Sequence, residues 1–414
     1  WVSLPSSAWL SGSSWVGLEP TNQIGVHVYH KRKVLLPIAA LILSMAFPSL
    51  TASAAGLPNS AAFGYGARLD MWGQDVYAAM ELASNMGLDW LAIDVDWARH
   101  WPALDQPADF SRLDYVLQAA RQKQISILLS LTHAPTWAIS VNGPEPGFTN
   151  ALLQSILSVY PDVIQAVELF PGANTSAGWG VSPNPQAYLT LLQTVRQGCD
   201  AAGKAIYLVT TIQPLLSSNA DGNMADLAFL ESLYALGGMA YIPIVGIYYP
   251  DVMGAPMSDQ SEQHPIVLRH YEDIRALMLQ YQHNHGMIWI TSFTWPTTGT
   301  ADPSDPLILP VTPAHQAQWV NQAFQLLQAQ LFIGTGFFSA LNHEIPSQTS
   351  PVLFQATGTI HPASVTISQF AGGRVNSIAW TVPPSNRGTI LTSTVYSAPE
   401  HPGNFLQYEG KPRK

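Results

Sequence analysis

Asp94 and Asp96 lie two residues apart at the end of an apolar run that begins at Trp90, so on an extended strand their side chains share one face. Asp70 and Glu344 follow two further apolar runs, and His133 follows a third. Two carboxyl groups that converge on a cleft can divide a bond cleavage between them, one attacking and the other moving a proton. Each of these side chains also has a plainer reading as a loop or cap group. An unorthodox pair such as Asp96 with Glu344 would join two separate segments. No spacing of His, Asp or Glu suggests a metal site, and no glycine loop at a strand–helix junction suits a phosphate, so no metal and no cofactor is expected.

The same segment ends are rich in aromatic residues: Trp97, Trp101, Trp137, Trp179, Tyr248, Tyr249 and Trp295. Such rings either stack on the apolar face of a ligand or fill the cores of the loops that carry them.

Eight short β-branched or aromatic runs alternate with helical patterns from Ala62 onward, the pattern of successive βα units around a parallel sheet. The strands are expected near 63–66, 90–95, 126–131, 164–169, 205–210, 243–248, 287–292 and 332–338. Between them, Leu113, Val116, Leu117 and Ala120 form one helical stripe, and Val267, Tyr271, Ile274 and Met278 another. Thr312 before Pro313 reads as a helix N-cap and first helical residue, opening a helix with Ala317, Val320, Phe324 and Leu327 inward. Gly87 and Gly203 sit where left-handed C-terminal caps are needed. The expected fold is therefore an α/β (β/α)8 TIM barrel over residues 60–372, with residues 373–414 as a short C-terminal extension that carries one strand around Ser377 to Val382 and is otherwise partly disordered.

Composition fits a large buried core. Of 414 residues, 47% are hydrophobic and 11% charged, below the roughly 25% charged of an average soluble domain. The net charge of -10 comes without a basic cluster, so nucleic acid is not an expected partner. Cys199 is the single cysteine, which excludes an intrachain disulfide and a Cys-based zinc site. It shares an apolar helical face with Tyr188, Leu192 and Val195, as a small core residue does.

Near the N-terminus, His30-Lys31-Arg32-Lys33 precedes the apolar stretch Val34 to Phe47 and then Ala52-Ser53-Ala54. This order matches the basic, hydrophobic and cleavage regions of a secretory signal over residues 30–54. Export is the expected location, with an uncleaved membrane anchor over residues 34–47 as the alternative. That anchor is the only membrane contact expected. Residues 1–29 lie upstream of the signal and are not expected to be structured.

Residues 166–174 read A-V-E-L-F-P-G-A-N and residues 288–296 read I-W-I-T-S-F-T-W-P. The chain resembles the clan A (β/α)8 glycoside hydrolases, whose fourth and seventh strands typically end close to E-I-W-N-E-P-N and W-I-T-E-F-G-W. Gly87 to Trp97 resembles the family's second-strand motif, Phe110 to Leu117 the opening of the next helix, and Ile125 to Ala138 its third strand and aromatic loop. The resemblance runs from about Phe63 to Phe370. It departs at the functional positions: Gly172 stands at the acid/base glutamate, Ser292 at the nucleophile, Ala92 at a frequent arginine, and Tyr248 at a frequent histidine.

A retaining glycosidase needs two carboxyl groups about 5 to 5.5 Å apart. Gly172 has no side chain, and Ser292 carries a hydroxyl that is a poor nucleophile without an adjacent base. Glu168 precedes Gly172 by four residues, about 13 Å at about 3.3 Å per residue, and is expected deeper in the barrel as a structural group. The resemblance thus implies a secreted barrel, catalytically degenerate, that binds carbohydrate or a partner at its C-terminal rim. The expected binding residues are Asp96, Trp97, His133, Trp137, Asn174, Trp179, Tyr248 and Trp295. Two alternatives stay open: an active O-glycosyl hydrolase that uses other carboxylates, Asp96 and Glu344 among them, and a structural or interaction barrel without sugar binding.

Overall fold

The computed structural model describes residues 54–73, 76–219, 221–250, 252–261, 265–297, 310–342, 353 and 361–374. The upstream segment 1–29, most of the signal or anchor segment, Glu344 and the tail with its strand around Ser377 to Val382 lie outside the described residues.

The elements follow in the order β1 (Gly64–Leu69), α1 (Val76–Met86), β2 (Trp90–Asp96), α2 (Trp97–His100), α3 (Ser111–Lys123) and β3 (Ser126–Thr132). A small antiparallel pair comes next, β4 (Ile139–Ser140) and β5 (Gly143–Pro144), which no periodicity announced. Then come α4 (Pro146–Val159), β6 (Ile164–Leu169), α5 (Ser176–Trp179), α6 (Pro185–Ala201), β7 (Tyr207–Ile212) and α7 (Asp226–Ala235). The last are β8 (Ile244–Tyr248), α8 (Tyr271–Gln280), β9 (Met287–Phe293), α9 (Pro313–Gln328), β10 (Ile333–Phe338) and α10 (Pro362–Ala371). Eight strands pair in parallel in the closed order β1-β10-β9-β8-β7-β6-β3-β2, which is a TIM barrel.

Residues alternate across each strand between the barrel interior and the helical layer. Trp90, Ala92, Leu128, Ala166, Val209, Ile244, Trp289 and Phe337 fill the lower interior, with Leu57 packed beneath them. Trp90 and Trp289 meet edge to face at 5.0 Å, and rings this large leave no room on the facing strand. Gly66 answers that constraint, since a Cβ there would lie 2.5 Å from the Phe337 ring. The segment before β1 closes the floor: Trp90 Nε1 donates to Ala55 O at 2.6 Å, and Trp289 Nε1 donates to Gly56 O at 2.9 Å.

The outward residues, such as Leu91, Ile93, Leu129 and Val167, join the helices in one large core. All four residues of the first expected helical stripe are buried on α3. In the second stripe Val267 is buried but extended, one 3-10 turn ahead of α8. Thr312 caps α9 by accepting from His315 N at 3.2 Å, as expected. On that helix Ala317 is only half-buried, and Gln316 is buried in its stead because its amide donates to Trp295 O at 2.6 Å. Gly87 and Gly203 adopt φ of +76° and +65°, the left-handed caps their positions require. Among the described residues, no helix is long and apolar enough to cross a membrane.

Candidate functional site

Above the apolar floor, the next inward residue of several strands is polar. Arg68 on β1, Ser130 on β3, Glu168 on β6 and Thr211 on β7 are all buried. Glu168 is fully enclosed, and its two oxygens accept from Ser130 Oγ and Thr211 Oγ1, both at 2.5 Å. Arg68 approaches it at 3.5 Å, donates to Thr291 O at 2.8 Å and to Ser130 Oγ at 3.2 Å, and pairs with Asp94. Burial alone would weaken the Arg68 cation, but Asp94 and Glu168 outweigh it and hold the guanidinium above its ordinary value. Glu168 is therefore a structural anchor below the mouth, as its distance from Gly172 implied.

A cavity of about 620 Å³ opens over this network. Seven of the eight barrel strands line it at or just beyond their C-terminal ends, where this fold carries its active sites. Strand β1 supplies Arg68, Asp70 and the following Trp72; β2 supplies Asp94 and Asp96; β3 supplies Thr132 and His133. The far wall holds Pro171 and Gly178 after β6, Tyr248 and Pro250 from β8, Thr294 after β9, and Ser339 and Asn342 after β10.

Asp96 ends β2 and caps α2. One carboxylate oxygen accepts from Arg99 N at 3.0 Å, and the other lies 3.1 Å from His133 Nδ1. Burial pushes Asp96 up, while the bonds from His133 and Arg99 outweigh it and leave the carboxyl below its usual range. The same bond to Asp96 raises the His133 imidazole against the opposing effect of burial. His133 holds φ at +45°, and its carbonyl accepts from Ala98 N at 2.8 Å, so the strained backbone secures the start of α2. Asp70 is fixed by Asn342, whose amide donates to Asp70 O at 3.1 Å and accepts from Asp70 N at 3.0 Å.

The structure brings Asp96, His133 and Tyr248 of the expected binding set to this cavity. The others are held elsewhere. Asn174 is fully buried with its amide spent on Gln213 and Met224. Trp179 and Trp295 are buried and donate to Asn142 O at 2.9 Å and Gly254 O at 2.8 Å. Trp97 and Trp137 pack edge to face at 5.4 Å, with Trp101 completing a loop core. Sequence reasoning passed over Trp72 and Arg68; the signal for Arg68 was the period-2 alternation from Gly64 and Gly66.

Gly172 and Ser292 do not line the cavity. Gly172 sits in the turn after β6 at φ +73°, its carbonyl accepting from Thr175 N at 2.8 Å. Ser292 is 1% exposed at an irregularity of β9, where its hydroxyl donates to Tyr249 O at 3.2 Å. Among the described residues no group of three or more His, Cys, Asp or Glu could hold a metal ion.

Solved structures of several glycoside hydrolases share this architecture. A family 39 glycoside hydrolase from Bacteroides cellulosilyticus WH2 superposes with a TM-score of 0.55 at 13% identity, over 74% of this chain and 63% of that one. The barrel is glycoside-hydrolase-like in fold. An exo-β-1,4-mannosidase from Opitutaceae bacterium strain TAV5 gives a TM-score of 0.52 at 12% identity over 75% of this chain and 59% of its own. A β-glucosidase from Exiguobacterium marinum gives 0.53 at 12% over 75% and 98%. The chain thus spans less than two thirds of the length of the first two glycoside hydrolases. No protein-family model and no curated protein matches the sequence.

Proposed function

We propose that this glycoside-hydrolase-like barrel binds carbohydrate in the cavity at its C-terminal rim and lacks the retaining double displacement. The observation that carries the reading is the placement of acids. Among the described residues, every carboxylate lining the cavity, Asp70, Asp94 and Asp96, comes from the adjacent strands β1 and β2 or the residue after β1. The positions that the resemblance gives to the catalytic pair, on β9 and after β6, hold Ser292 and Gly172. With no carboxyl at either position, neither the attack nor the proton transfer has its group.

The polar lining supports carbohydrate as the ligand class. A sugar presents several hydroxyls, each needing a partner once removed from water. Thr132, Thr294, Asn342, His133 and the three aspartates offer both donors and acceptors around one cavity. The basic and apolar stretches before Ala54 support export, where such a ligand would be met.

A second reading is active hydrolysis through Asp96, favoured by its 3.1 Å bond to a histidine inside an open cavity. One experiment separates the two. The unmodified protein is assayed on aryl glycosides and a polysaccharide panel, with oligosaccharide binding measured by calorimetry. Binding without hydrolysis is the expected result, and hydrolysis that disappears in Asp96→Asn would replace the first reading with the second.

A further inference from the structure

A second titratable cluster lies outside the cavity. His270 ends the 3-10 turn ahead of α8, and its side chain is 1% exposed. Its Nε2 lies 2.5 Å from Asp226 Oδ2, on the first residue of α7, and its Nδ1 lies 3.1 Å from Asp273 Oδ2, in the first turn of α8. One imidazole thus joins the N-terminal ends of two neighbouring helices. The same turn is tied to the cavity wall, because Tyr249, between the cavity residues Tyr248 and Pro250, donates its hydroxyl to Leu268 O at 2.9 Å.

A neutral imidazole has one N–H and one lone pair. Whichever nitrogen lacked the hydrogen would set its lone pair against a carboxylate oxygen, in a site almost closed to solvent. Both contacts are hydrogen bonds only when the ring carries both protons. The two carboxylates leave them there: Asp226 Oδ1 accepts from Leu227 N at 2.9 Å, the Asp273 side chain keeps half of its surface in solvent, and each condition favours the ionised form. Burial alone would pull the imidazole down, but Asp226 and Asp273 outweigh it and hold the ring above its ordinary value. Around the cluster, Tyr249 after β8 and Tyr271 at the start of α8 are both raised by burial and stay neutral. Arg269 is engaged by Glu272, at 2.8 and 3.0 Å, and by Asp259, so its charge does not substitute for that of the ring.

We propose that His270, Asp226 and Asp273 form a pH-sensitive clamp that fastens α7 to α8 beside the cavity wall, closed while the ring carries both protons and released when it loses one. In the unfolded chain a histidine gives up its second proton near pH 6.5, so above that value the closed clamp holds a proton that the unfolded chain does not. The raised group therefore contributes stability that is complete below about pH 6.5 and is lost as pH rises through the folded value. Release leaves two carboxylates on one neutral ring, and the half-exposed Asp273 is the side from which solvent reaches it. The inference is independent of what the cavity binds.

The test has two readouts. Long-range proton–nitrogen correlation spectra of histidine-labelled protein observe the two ring nitrogens of His270 directly and need no variant. Both are expected to carry hydrogen at about pH 7, where an ordinary histidine is mostly neutral, and a neutral His270 ring there overturns the clamp. The second readout is urea unfolding of the unmodified protein and of Asp273→Asn from about pH 6 to about pH 9. The stability advantage of the unmodified protein should fall above about pH 6.5 by up to about tenfold in the folding constant per pH unit, the linkage of one proton. His133 is present in both proteins and cancels from the comparison. Parallel pH profiles overturn the clamp. Amide protection in the first turns of α7 and α8, corrected for the intrinsic pH dependence of exchange, should weaken over the same interval, and protection that holds constant also overturns it.

Discussion

Asp96 holds His133 Nδ1 at 3.1 Å with one oxygen and the N-terminus of α2 with the other, so a single carboxylate couples the β2 end to the β3 end. The pair titrates in opposite directions, His133 upward and Asp96 downward. A raised imidazole contributes stability that is complete below its unfolded value of about 6.5 and is lost as pH rises through the folded value. A depressed carboxyl contributes above its unfolded value of about 3.9 and is lost as pH falls through the folded one. The coupling is therefore fully present between about pH 4 and pH 6.5 and fades on both sides of that window. NMR titration should place His133 above the ordinary histidine value and Asp96→Asn should return it there. An unshifted His133 in the unmodified protein would show that the bond is not made in solution.

The Arg68–Glu168 network makes a second expectation. Glu168 is fully buried, and Arg68 is its only cationic partner among the described residues. Removing one member of such a pair leaves an uncompensated charge, a loss of about 3 to 5 kcal/mol. Arg68→Met should therefore lower the urea midpoint steeply. Arg68→Met combined with Glu168→Gln should recover much of it, because the amide keeps partners in Ser130 and Thr211 without a charge. Strictly additive losses in the double variant would contradict the pairing.

Much of this architecture is readable from residue order, for a physical reason. Barrel strands are covered on both faces, so they appear as short apolar runs, and the eight observed strands begin and end within three residues of the expected ones. The site was less legible. Strand β1 was expected to end at 66 because its glycines weaken the strand signal, yet Gly66 admits the Phe337 ring and Gly64 the Trp90 ring and Thr335, and the same alternation carries Arg68 into the interior. The rim tryptophans misled in the other direction. A ring at a strand end is open or covered according to loops from elsewhere in the chain, and here carbonyls of Asn142, Gln106 and Gly254 take up the N–H groups of Trp179, Trp101 and Trp295.

The floor of the barrel depends on four residues ahead of β1. Leu57 is 4% exposed against the ring cluster, and truncation to alanine in such a site costs about 2 to 5 kcal/mol. Leu57→Ala should lower the unfolding free energy by that amount, read as a fall in the urea midpoint at unchanged slope. Gly56→Ala should do at least as much harm, since φ is +82° and the new Cβ would stand 2.0 Å from Thr335 Oγ1. A chain that begins at Leu57 should melt well below one that begins at Ala54, as measured by calorimetry, because it has lost the carbonyls that accept from Trp90 and Trp289.

Placing glutamates at Gly172 and Ser292, the positions that the resemblance gives to a catalytic pair, tests whether those positions point into the cavity. At Gly172 a Cβ would meet Gln213 at 3.4 Å and Thr175 Oγ1 at 3.7 Å, ordinary contacts, so Gly172→Glu pays chiefly for its left-handed backbone, about 1 to 2 kcal/mol. Ser292 is different. It is 1% exposed, bonded to Tyr249 O, and flanked by Phe293 at an irregular step of β9. A glutamate there adds volume and an unpaired charge to a closed space, so Ser292→Glu should cost about 3 kcal/mol or more unless the strand shifts. Urea denaturation of the single variants checks this ordering. If Ser292→Glu proved as stable as Gly172→Glu and the double variant hydrolysed an aryl glycoside, β9 would have to swing position 292 toward the mouth, and the closed setting of the serine would belong to one of two states of the strand.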